Sequence, residues 1–100
     1  MLTNNLEMLK RGSREGFAIP AINTQGGQYD IIRACTKAAQ EMRSPIILAH
    51  YVSTGAYSGH DWFVETAKWC ANKVDVPVSI HLDHGDGFPI CMEALRLGFT

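Results

Sequence analysis

The chain has no surplus of basic charge: 9 Lys and Arg stand against 10 Asp and Glu, a formal net charge of −1. It also lacks any basic run, so the attraction that phosphate backbones and anionic lipid surfaces exert on proteins has little to act on. Nucleic acid and membrane are therefore not expected partners, and a small molecule is. No stretch approaches the ~20 consecutive apolar residues of a membrane span. Met1 to Arg14 is too polar for a secretory signal, so the expected compartment is the cytoplasm. Cysteine is scarce, and Cys35, Cys70 and Cys91 are odd in number, widely spaced and outside any C-x-x-C pair. They read as reduced, mostly buried thiols, which excludes a disulfide framework and a zinc ribbon. Linkers, low-complexity tracts and clear internal repeats are missing as well. So are a G-x-G-x-x-G turn and a P-loop, which removes the best support for a nucleotide-binding doubly wound sheet.

What is present has the balance of a globular chain: 46% hydrophobic and 19% charged residues argue against disorder and coiled coil. Short apolar runs alternate with longer amphipathic ones. A first helix is expected over Thr3 to Arg14, with Leu6 and Leu9 on one face. The run Phe17 to Ile22, ending in Asn23, reads as a strand. After the polar turn Thr24 to Gly27, Ile31, Ile32, Ala34, Cys35, Ala38, Ala39 and Met42 recur at steps of three and four, as a half-buried helix requires. Ser44-Pro45 ends it, because a residue before proline is pushed out of the α region. Ile46 to Ala49 is a second strand, followed by an expected loop over Ser53 to Gly59. Asp61 is a candidate N-cap for a helix ending near Lys73. Val76 to Ile80 is a third strand, and Gly85-Asp86-Gly87 leads into a helix with Pro89 near its start and Gly98 past its end.

Strand and helix alternating at this spacing specify a parallel α/β fold, and with the nucleotide-binding version weakened a (β/α)8 barrel is favoured. A barrel typically takes ~250 residues. Residues 1–100 are accordingly expected to be the N-terminal portion of one TIM-barrel domain, a leading helix plus about three βα units, within a longer protein.

In parallel α/β folds, active sites gather at the carboxyl ends of the strands. Polar residues cluster there: Asn23 after the first strand, His50 and Tyr51 after the second, and His81-Leu-Asp83-His84-Gly85 after the third. The period of two puts Ser79, His81 and Asp83 on one face of the third strand, with Val78, Ile80 and Leu82 on the other. Asp83 and His84 are the leading candidates for metal or acid/base chemistry, since an imidazole is a common ligand of divalent ions and a neighbouring carboxylate carries protons well. Neighbouring residues serve one site only if the chain turns there, which Gly85 and Gly87 permit. His81 reads as a hydrogen-bonded residue that orients its neighbours, His50 is open, and His60 reads as loop or cap. Trp62, Phe63 and Trp69 read as helix packing or an interface surface. Two further readings stay open: a metal-dependent hydrolase on the same barrel, with His81 and His84 both ligating, and a non-catalytic binding or assembly module.

Val78-Ser-Ile-His-Leu-Asp-His-Gly85 resembles the first signature segment of the class II, metal-dependent ketose-bisphosphate aldolases. Gly16-Phe-Ala-Ile-Pro-Ala-Ile-Asn23 resembles that family's first strand, and Arg43-Ser-Pro-Ile-Ile-Leu48 its second. The resemblance implies a lyase that reversibly cleaves a phosphorylated ketose, a 1,6-bisphosphate, to dihydroxyacetone phosphate and an aldehyde. It implies zinc (Zn2+) held in part by His84, and proton transfer at the substrate C4 hydroxyl by Asp83. By the same resemblance Asn23 lies near the substrate and Ser53, reached by a shift in alignment, near a substrate phosphate. The implied assembly is a homodimer or homotetramer. The family's remaining ligands and phosphate loops belong to later βα units, so the 100-residue segment alone is expected to be inactive.

Overall fold

The computed structural model describes all 100 residues. Its elements run α1 (Asn5–Glu15), β1 (Ala21–Asn23), α2 (Tyr29–Met42), β2 (Ile46–Tyr51), α3 (Val52–Ser58), α4 (His60–Ala71), β3 (Val78–Asp83) and α5 (Phe88–Leu97). The three strands form one parallel sheet in the order β1-β2-β3, so β2 is central. The architecture is mixed α/β, as expected from the alternating pattern.

Two strands begin later than their apolar runs, for one reason. A proline has no N–H to give to a ladder, so pairing starts beyond it. The carbonyl of Pro20 accepts from Ile47 N–H at 3.0 Å and that of Pro77 from Ile46 N–H at 3.1 Å, after which β1 and β3 follow at Ala21 and Val78. β3 in turn runs on through Asp83 instead of stopping at Ile80. The helix ends follow local chemistry more closely. Asn4 caps α1 by accepting from Glu7 N–H at 3.0 Å, and Gly16 and Gly98 close α1 and α5 in the left-handed conformation. α2 ends at Met42, with Arg43 left-handed, just before Ser44-Pro45.

The ladder register fixes which side chains share a face. Ala21, Asn23, Ile47, Ala49, Tyr51, Ser79, His81 and Asp83 are paired residues of one face. The alternate positions Ile46, Leu48, Val78 and Ile80 face the helices and join Ile32, Phe63, Val64, Ala67 and Phe99 in one apolar core. Burying this layer is the main driving force for the fold, at about 25 cal/mol per Å² of apolar surface. α1 closes the amino end of the opposite face, where the buried Ser79 hydroxyl donates to Asn5 Oδ1. Ser79 is therefore a structural contact at the base of the sheet, and the polar residues left at the other end are those near the strand carboxyl termini.

The expected loop after the second strand is a helix. Apart from Ala56, α3 is built from weak helix formers, Val, Ser, Thr, Gly and Tyr, and local bonds together with one long-range bond hold it. Thr54 Oγ1 donates to Tyr51 O at 2.9 Å, Ser58 Oγ donates to Gly26 O, and Gly59 N–H donates to Gly55 O at 2.8 Å. Asp61 is not the cap of α4: that position is Gly59, and Asp61 lies in the first turn.

Candidate functional site

The site grows from the end of β3. Asp83 is its last residue and the register partner of Tyr51 at the end of β2. His84 then takes φ 56°, a left-handed conformation uncommon outside glycine. This turn breaks the strict alternation of the strand and lets consecutive side chains share one rim. Asp83 Oδ1 lies 3.8 Å from His84 Nε2, close but beyond hydrogen-bond reach. The imidazole is 74% exposed and the carboxylate 36%. The Tyr51 ring meets the His84 ring edge to face, with centroids 5.4 Å apart.

Asn23, at the end of β1, is on the same face and exposed. Its Oδ1 accepts from Gln25 N–H at 2.8 Å, which leaves the amide N–H groups as its outward-facing chemistry. His81 stands one alternation below Asp83 and is half-buried. Ser53 is exposed in the first turn of α3, immediately beyond β2. The four residues expected at the site thus all lie at or just past the carboxyl ends of the strands. Tyr51, expected at the end of the second strand, lies on the same face, two residues beyond Ala49 and paired with Asp83.

His50 goes elsewhere. It is wholly buried on the helix side of β2, stacked on Phe63 with centroids 4.2 Å apart. Its Nε2 lies 3.0 Å from His60 Nδ1, a hydrogen bond between imidazoles, and its Nδ1 is buried without a partner. Burial, with the nearby His60 adding to it, pushes His50 down to about 4, so the ring is neutral near pH 7. Gly55 is what admits the pair: a Cβ there would stand 2.2 Å from His50 Nε2 and 2.4 Å from His60 Nδ1. His60 is thus a packing partner of a buried imidazole, not a loop or capping residue.

The thiols are free, but only Cys70 is buried, Cys35 being half-buried and Cys91 exposed. Burial raises the Cys35 and Cys70 thiols above their usual range and keeps them protonated. Phe63 is core, whereas Trp62 and Trp69 are about half exposed. No three His, Cys, Asp or Glu side chains converge on one point as a cation site. His84 nonetheless fits one place in such a site, as an exposed imidazole beside a carboxylate at a strand end. No helix is long and apolar enough to cross a membrane.

A parallel sheet with its apolar face covered by helices and a carboxylate-imidazole pair at its carboxyl rim defines a chain of the parallel α/β class. The family model for class-II fructose-bisphosphate aldolase matches residues 3–100, and the chain belongs to that family. The fructose-bisphosphate aldolase of Thermus caldophilus is 37% identical over 100 residues, covering all of this chain and 32% of that protein. That of Mycoplasma pneumoniae is 38% identical over 105 residues, covering all of this chain and 35% of that protein. The chain thus spans about a third of the length of these curated relatives. Among solved structures, the YdjI aldolase from Escherichia coli K12 superposes with a TM-score of 0.87 at 24% identity, over 99% of this chain and 38% of that one. At that identity the likeness speaks for the fold.

Proposed function

We propose that residues 1–100 are the N-terminal portion of a (β/α)8 barrel whose complete form is a metal-dependent aldolase, reversibly cleaving a ketose 1,6-bisphosphate into dihydroxyacetone phosphate and an aldehyde. The observation that carries this reading is the adjacent Asp83 and His84 at the end of β3, brought to one rim by the left-handed turn at His84. Family membership supplies the reaction class, and the rim supplies groups that suit it.

In this reading Asp83 moves the proton. On cleavage its carboxylate accepts the C4 hydroxyl proton as the C3–C4 bond breaks, and on condensation it returns that proton to the aldehyde oxygen. Its place at a strand end, half-exposed, gives it access to substrate and a fixed backbone. His84 would hold zinc as one donor of a set completed by residues outside these 100. A divalent cation supplies Lewis-acid polarisation of the substrate carbonyl, the role a lysine Schiff base fills in other aldolases. Asn23 offers its amide N–H groups to a substrate oxygen, and the Ser53 hydroxyl donates to a phosphate.

Two measurements test this. The complete protein should cleave a ketose 1,6-bisphosphate, lose turnover on chelation and regain it with zinc. Residues 1–100 produced alone should show no turnover above a zinc-only blank. Activity indifferent to chelation, or full activity in the isolated segment, would overturn the proposal.

A further inference from the structure

We propose that Tyr51 is a positioning residue for His84: its ring, packed edge to face against the imidazole, holds that side chain in the orientation from which it donates to a cation. The inference rests on the reading of His84 as a metal donor.

Three observations support it. First, His84 has little else to hold it. It lies past the end of β3 in a left-handed turn with its side chain 74% exposed, and the Asp83 carboxylate at 3.8 Å is too far to fix the ring by a hydrogen bond. An imidazole that serves a metal well is oriented before the metal arrives, by a partner on its other nitrogen or by packing. Second, the aromatic contact is at hand: the Tyr51 and His84 centroids are 5.4 Å apart at an interplanar angle of 78°, in the favoured edge-to-face range. Third, the Tyr51 backbone is the better anchored of the two. It is the register partner of Asp83 in the central strand, and its carbonyl is tied to α3 by Thr54 Oγ1 at 2.9 Å. The strand ladder therefore fixes the backbone that carries the Tyr51 ring, against which the exposed imidazole packs. His50, one residue earlier, faces away toward Phe63 and cannot serve.

The test uses the complete protein and the variants Tyr51→Leu, Tyr51→Phe and His84→Ala, with folding checked by circular dichroism. Zinc affinity is read by competition with a chromogenic chelator, and ligand geometry by the visible absorption of the cobalt-substituted form. Tyr51→Phe should retain wild-type affinity and spectrum, because the ring remains. Tyr51→Leu should weaken zinc about tenfold and displace the cobalt bands, and His84→Ala should weaken it further. Wild-type affinity and bands in Tyr51→Leu, with zinc weakened in His84→Ala, would overturn the positioning role and leave the aldolase reading standing. Wild-type affinity in His84→Ala would remove the metal-donor reading and this inference with it. Should Tyr51→Leu fail to fold, a nuclear Overhauser contact between the Tyr51 and His84 ring protons in the zinc-loaded wild type decides the matter, its absence counting against the role.

Discussion

Two imidazoles near the carboxyl end of the sheet, His50 and His84, are the same chemical group in opposite settings. His50 is buried against Phe63 on the helix side, neutral and bonded to a second imidazole. His84 is exposed on the rim beside a carboxylate. The difference comes from strand geometry. His50 lies inside β2, where alternation sends it to the helices, whereas His84 lies one step past β3, where a left-handed residue frees the chain from alternation. An imidazole paired inside a core serves packing, and one offered at a rim beside a carboxylate is available for chemistry.

Breaking the rim should cost catalysis and spare the fold. In the complete protein, Asp83→Ala should lower kcat by roughly 10²–10⁴-fold while the melting temperature stays near wild type, since the side chain is partly exposed and bonded to no core group. Unchanged turnover would return Asp83 to a surface role.

Breaking the buried pair should do the reverse. The folded state holds His50 at about 4 against an ordinary 6.5, so between these values the unfolded chain binds the extra proton. Stability is therefore full above about pH 6.5 and is lost as pH falls toward 4, by up to about 3 kcal/mol. Denaturant titrations at a series of pH values should show this slope, and His50→Phe should flatten it. A slope that survives the substitution would assign the effect to other groups.

Gly55 sharpens the same contrast at smaller cost. Its missing side chain is the space the two imidazoles occupy, so Gly55→Ala should destabilise by about 1–3 kcal/mol through overpacking. Zinc affinity in the complete protein should stay unchanged. A thermal melt and a zinc titration on one sample separate the two effects.

Much of this was legible in advance. The alternation of apolar runs and half-buried helices announced a parallel α/β chain, and the break at Ser44-Pro45 marked the true end of α2. The placement of Asp83, His84 and Asn23 at strand ends followed from counting along each strand. Other features were not legible, because they depend on contacts distant in sequence. α3 is held by Ser58 reaching Gly26 and by the packing of Gly55 on His50, against the propensities of most of its residues. The partnership of His50 with His60 needed a helix where a loop was expected. Tyr51 was legible at a strand end, but its place opposite Asp83 and against the His84 ring appeared only with the register.

By itself, then, the order of residues determined what is local and periodic: where the chain turns, which runs are apolar enough to be buried, and which polar groups end up at strand termini. Tertiary structure decided which of those groups meet. Side-chain chemistry is carried by each residue alone, whereas proximity is a property of pairs, set by sheet register and helix packing between parts of the chain far apart in sequence.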